Sequence, residues 1–123
     1  MTKDSHEKTR PLKAYVPEDL RQEVGRLLYD PVSNAMGYGE LSGLMTQLFR
    51  EWVERQQGKG EIDIPVEPRF KGEQIFLRIP APVYREVRVL LLDPNTGRPT
   101  YGALTNLVSG LLREWVESQR REE

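Results

Sequence analysis

The chain has 123 residues, a net charge of −1, no cysteine and a single histidine, His6. That length suits one domain; the lack of cysteine excludes a disulfide framework and a Cys-based metal site, and one histidine leaves too few ligands for zinc. No apolar run reaches signal-peptide or membrane-spanning length, so a soluble, cytoplasmic protein with no membrane partner is expected.

Residues 1–11 are polar and of mixed charge, and read as a flexible arm. Leu12, Ala14 and Val16 then alternate with Lys13 and Tyr15, a period of two that predicts a short strand with one buried face. Pro17 ends the strand and suits a first helical turn, and Glu18 and Asp19 complement the positive N-terminus that follows. Leu20, Val24, Leu27 and Leu28 predict an amphipathic helix over 18–29, stopped by Asp30-Pro31. Residues 31–37 read as a loop. Leu41, Leu44, Met45, Leu48, Phe49, Trp52 and Val53 then give the strongest helical stripe in the chain, from Tyr38 to Gln56. Residues 58–73 read as a linker that opens with Gly58-Lys59-Gly60. Pro65 and Pro68 argue against a central strand there.

The same grammar then returns. Ile75, Leu77 and Ile79 alternate with Gln74, Phe76 and Arg78, and Pro80-Ala81-Pro82 opens a helix carrying Val83, Val87, Leu90 and Leu91. Asp93-Pro94-Asn95-Thr96-Gly97 is a turn, and Thr100 can cap a last helix carrying Leu104, Leu107, Val108, Leu111, Leu112, Trp115 and Val116. The pentapeptide Arg-Glu-Trp-Val-Glu occurs at Arg50–Glu54 and again at Arg113–Glu117, 63 positions on (115 minus 52). At that offset Pro17 meets Pro80, Val24 meets Val87 and Asp30-Pro31 meets Asp93-Pro94; Tyr38-Gly39 meets Tyr101-Gly102, all without a gap. The chain therefore reads as two copies of one unit, 12–57 and 74–120, sharing one core. Trp52 and Trp115 fall in phase on the apolar stripes and read as core.

Strand, helix, helix, with a strand too short to stand alone and a strand-to-proline-to-helix junction at Val16-Pro17 and Ile79-Pro80, resembles the ribbon-helix-helix family of MetJ and Arc type. The interhelical loops, Asp30–Gly37 and Asp93–Pro99, are longer than the short turn usual in that family. The resemblance implies a mainly α fold with a two-stranded antiparallel ribbon, built here as an intramolecular pseudo-dimer of two fused units that could self-associate further on DNA. It also implies a function: a transcriptional regulator that inserts its ribbon into the major groove of double-stranded DNA. Carried over residue by residue, the base-facing set is Lys13, Tyr15, Gln74, Phe76 and Arg78. Lys and Arg suit guanine, Gln suits adenine, and the aromatics suit thymine methyls or unpaired bases. Contact with phosphate falls to Arg10, Lys71, Arg98 and Thr100, and to the two pairs at the starts of the long helices, Tyr38-Gly39 and Tyr101-Gly102.

The two copies keep their inward residues and differ outward: Lys13 stands against Phe76, and Tyr15 against Arg78. An asymmetric reading face is the consequence, which a homodimer with identical strands cannot offer. The sequence holds no P-loop, no nucleophile with its base and no cluster of metal ligands, so neither enzyme activity nor a cofactor is expected. Two other binding modes fit the exposed aromatics: a protein-interaction or inhibitor module, and single-stranded nucleic-acid binding.

Overall fold

The computed structural model describes residues 8–30, 35–36, 38–57, 72–93, 95–98 and 102–122. They form a small α+β protein: strand β1 (Thr9–Pro17), helix α1 (Glu18–Leu27), short strands β2 (Tyr29–Asp30) and β3 (Ala35–Met36), helix α2 (Tyr38–Gln56), strand β4 (Gly72–Pro80), and helices α3 (Ala81–Leu90) and α4 (Ala103–Glu122). Among the described residues no helix is long and apolar enough to cross a membrane.

β1 and β4 pair antiparallel into a two-stranded ribbon, with Leu12 opposite Leu77, Lys13 opposite Phe76 and Tyr15 opposite Gln74. Lys13 and Phe76 are also equivalent positions of the repeat (13 plus 63 is 76), so the ribbon's centre is the point where the two copies meet themselves. The strand parity matches the alternation in the sequence. Leu12, Ala14, Val16, Ile75, Leu77 and Ile79 are all buried, and Lys13, Tyr15, Gln74, Phe76 and Arg78 are all exposed.

β1 begins at Thr9 rather than Leu12, so Thr9, Arg10 and Pro11 belong to the ribbon and not to the arm. Alternation cannot announce this stretch, because Arg10 occupies an inward-parity position at the ribbon's end. Its pairing comes from the partner strand: Thr9, Arg10 and Pro11 face Pro80, Ile79 and Arg78, and the Ala81 N–H donates to the Lys8 carbonyl at 2.7 Å. Pro11 fits because the backbone N–H of Arg78 points away from β1 and donates to Ser42 Oγ at 3.0 Å. The Pro11–Arg78 pair is therefore of the non-hydrogen-bonded kind, where a missing donor costs no ladder bond. By alternation Lys13–Phe76 and Tyr15–Gln74 are of that kind too, which brings their side chains close together on the outer face.

Pro17 and Pro80 each close a strand and stand as the N-cap of the next helix, with φ −55° and −52° and ψ 142° and 134°. Their fixed φ lets the chain pass from strand to helix with no intervening loop. α1 ends at Leu27, earlier than the apolar spacing predicts, and the expected interhelical loop contains a pairing of Tyr29 with Met36 and Asp30 with Ala35. In the second copy, Asp93 Oδ1 accepts the Asn95 N–H at 2.7 Å, the Gly97 N–H donates to the Asp93 carbonyl at 2.8 Å, and Gly97 takes φ +68°.

The buried apolar residues make one cluster drawn from both ribbon strands and all four long elements behind them. α2 packs on β4 and α3, and α4 packs on β1 and α1. Each long helix thus lies chiefly against the strand and first helix of the other copy. Ser109 on α4 is buried and donates from Oγ to the Tyr15 carbonyl on the free edge of β1 at 3.2 Å. Ser42 of α2 and Ser109 of α4 therefore each hold one outer edge of the ribbon, at Arg78 and Tyr15, positions equivalent in the repeat.

Trp52 is 1% exposed, whereas Trp115 is only partly buried. The shared pentapeptide therefore does not give shared burial. Buried Gln56 donates from Nε2 to the Trp52 carbonyl at 3.1 Å. Ion pairs join α1 to α4, from Arg113 to Asp19 at 3.2 Å and from Arg120 to Glu23 at 3.2 Å. The Arg113 hydrogen bond holds the Asp19 carboxyl below its ordinary value, and Arg26 and Arg120 do the same for Glu23.

Candidate nucleic-acid interface

With its inner face against the core, the ribbon leaves its outer face open to solvent. Along β1 this face presents Thr9, Pro11, Lys13 and Tyr15, and along β4 it presents Gln74, Phe76 and Arg78. All five residues that parity turns outward are thus brought together on one surface. Strand geometry spaces same-face neighbours by about 6.8 Å.

The face is ordered by cross-strand contacts. At one end Gln74 Nε2 donates to the Tyr15 hydroxyl oxygen at 3.3 Å. At the centre the Lys13 ammonium lies 5.8 Å from the centroid of the Phe76 ring, a cation–π contact. At the other end Arg78 Nη1 donates to Thr9 Oγ1 at 3.5 Å, so the guanidinium keeps donors to spare. The polarity therefore runs from amide and phenol, through an aromatic with its ammonium, to a guanidinium. Tyr15 is 50% exposed and Phe76 53%.

An open groove of about 620 Å³ flanks the face, lined by Pro11, Lys13, Phe76 and Arg78 of the ribbon and by Ser42 of α2. A second groove, of about 1000 Å³, lies at the ribbon's end and brings Arg10 together with Tyr84, Arg85 and Arg88 of α3. Arg10 thus sits beside the ribbon's outer face rather than on it. Arg85 and Arg88 escape a sequence reading because they look like the solvated side of an amphipathic helix; only the fold puts them next to Arg10. Thr9, Pro11 and Ser42 escape it because nothing local marks a residue whose role is set by a partner 36 to 69 positions away.

The residues assigned to phosphate are less uniformly placed. Tyr38 and Gly39 open α2 as the spacing predicts, but Glu40 adds an acid to that first turn. Gly102 does not open α4: it precedes the helix with φ +77°, and its carbonyl accepts the Asn106 N–H at 3.0 Å. The two copies therefore differ at this point, because a left-handed residue cannot sit inside a right-handed helix and the glycine serves as the cap. No acid lies in the first turn of α4. Arg98 is exposed in the 95–98 turn, with its N–H donating to Thr96 Oγ1 at 3.3 Å. Lys71, Thr100 and Tyr101 lie outside the described residues. Among the described residues no group of three or more His, Asp or Glu could hold a metal ion.

Comparison with known proteins gives no match to a family model, to a curated protein or to a solved structure.

Proposed function

We propose that this chain is a double-stranded DNA-binding protein of the tandem ribbon-helix-helix kind, a transcriptional regulator whose two fused units form a pseudo-dimer within one chain. One observation carries the reading: a two-stranded ribbon is buried on one face and bare on the other, and the bare face bears Lys13, Tyr15, Gln74, Phe76 and Arg78. A major groove about 12 Å wide admits such a ribbon, and these side chains can donate, accept and make apolar contact with base edges. The pairing of Lys13 with Phe76 at the repeat's own midpoint supports the pseudo-dimer, as does the crossing of each long helix onto the other copy.

In this reading Arg10, with Arg85 and Arg88, lies to the side where a phosphate strand would pass. Lys71, Arg98, Thr100, the Tyr38-Gly39 start of α2 and the Tyr101-Gly102 pair ahead of α4 are the other phosphate contacts. Glu40 weakens the anion site at the start of α2, so the second unit holds the backbone more firmly. Cytoplasmic location and further self-association on DNA belong to the same proposal, as does a purely binding, non-catalytic role.

A gel shift with random duplex and single-stranded pools across a salt range tests it. Duplex binding that weakens with salt and enriches a discrete site is the expected result. The exposed pair Tyr15 and Phe76, together with a net charge of −1, favours a second reading, a protein-interaction or inhibitor module, and absence of binding to either pool would put that reading first.

A further inference from the structure

The geometry points to a specific ligand chemistry for the centre of the ribbon: we propose that Phe76 reads the 5-methyl group of thymine, and that 5-methylcytosine is accepted in its place. The inference rests on the ribbon being a reader of duplex DNA. Phe76 is 53% exposed at the centre of the face, with polar residues as its nearest neighbours there: Gln74 and Arg78 along the strand and Lys13 across it. Seating that ring against base edges strips water from whatever it covers. Most of the major-groove edge consists of hydrogen-bond donors and acceptors, which a phenyl ring would leave unsatisfied. The thymine methyl is the apolar exception among the unmodified bases, and a methyl on C5 of cytosine occupies the corresponding place.

The surroundings of the ring fit this better than they fit stacking on an unpaired base. The Lys13 ammonium stands over the ring, 5.8 Å from its centroid, and takes one of its two faces. Lys13 is also the cross-strand partner of Phe76, so the contact is built into the register rather than reached by a wandering side chain. Tyr15, the other aromatic of the face, has its hydroxyl engaged by Gln74 at 3.3 Å and is turned toward that neighbour. Gln74 and Arg78 flank Phe76 on the same strand face. With about 6.8 Å between such neighbours and about 3.4 Å between base pairs, the methyl step lies about two base pairs from the one that Arg78 meets.

The test uses the full chain and a duplex site selected by it. Each thymine is replaced singly by uracil, which removes the methyl and leaves the hydrogen-bonding edge intact, and dissociation constants are measured by fluorescence anisotropy at one salt concentration. Uracil at a central position is expected to weaken binding about three- to tenfold, the loss of one buried methyl-sized group. At that position, replacing the T·A pair by 5-methylcytosine·G should cost less than replacing it by C·G, by the same factor. In Phe76→Ala the uracil penalty should fall to a ratio near one, whereas Arg78→Ala should retain it; both side chains are exposed, so both variants fold. If uracil has no effect at any position, or an equal effect in wild type and Phe76→Ala, the methyl reading is overturned while duplex binding stands. Binding to single strands more tightly than to duplex, or to no DNA at all, overturns the methyl reading together with the function it rests on.

Discussion

Trp52 and Trp115 sit in the same pentapeptide, so any difference between Trp52→Ala and Trp115→Ala must come from the fold. Trp52 is 1% exposed within the common core, while Trp115 packs against that core from its margin. An indole buries about 200 Å² when fully covered, which at about 25 cal/mol per Å² sets an upper limit near 5 kcal/mol. Truncation of such a residue typically costs about 3–5 kcal/mol once the cavity is included. Trp52→Ala should fall in that range and Trp115→Ala at about 1–2 kcal/mol, because only part of its ring leaves water. At about 4 °C per kcal/mol for a chain of this size, the melting temperature should fall by about 12–20 °C for the first and about 4–8 °C for the second. Urea titration followed by circular dichroism gives the free energies directly. Each variant keeps one tryptophan as its own reporter, and folded Trp115→Ala should emit further to the blue than folded Trp52→Ala. Equal losses for the two variants, or a larger loss at Trp115, would refute the assignment of Trp52 to the centre of the core.

Further outcomes are expected from the same geometry. Arg78→Ala should weaken binding to the selected DNA by about 1–3 kcal/mol and relax preference at one base pair in one half of the site, since Tyr15 stands at the equivalent position; a palindromic site, or one unchanged by the mutation, would sink the asymmetric ribbon. Lys71→Ala or Arg98→Ala should weaken all sequences alike and flatten the salt slope by about one, as read from binding isotherms in a salt series. Arg113→Ala should cost less than about 1 kcal/mol at neutral pH, because its partner Asp19 lies at the surface. The Asp19 carboxyl is depressed below its reference of 3.8, so this contribution is complete above that value and disappears as pH falls through the lower folded value. Wild type and Arg113→Ala should therefore converge in acid, and divergence there would reverse the sign of the coupling. A fragment of residues 1–60 should be unfolded or self-associated; a cooperative melt from a monomeric fragment would show that one copy folds alone.

Elements whose cause is local were legible in the sequence. The stripe from Leu41 to Val53 marks α2, which runs Tyr38–Gln56 as its spacing predicts. The alternation around Ala14 and Leu77 marks two half-buried strands and the five side chains of their open face. Features set by a distant partner were not legible. Thr9–Pro11 become strand because Arg78–Pro80 lie opposite, and nothing in Thr-Arg-Pro itself signals it. The start of α4 also escaped the repeat logic. Gly39 and Gly102 are equivalent by sequence, but one takes helical geometry and the other a left-handed cap. The β2–β3 pairing falls in the same class, since two paired residues on each strand are too few to leave a period.

The ribbon also governs when this protein can fold. β1 is complete by Pro17, yet its partner begins only at Gly72, and the helix that holds its outer edge contributes Ser109. During synthesis the first strand and the first two helices must therefore wait, with their apolar sides exposed, until most of the chain has emerged. Loop closure over such a separation makes the ribbon a late and slow event compared with helix formation. In that interval the β4-like edge of another nascent copy is as good a partner for β1 as the chain's own. The connection between the two copies keeps the correct partner close by, so exchange of halves between chains should grow with the local concentration of unfinished chains, as on a crowded polysome, rather than with that of the folded protein.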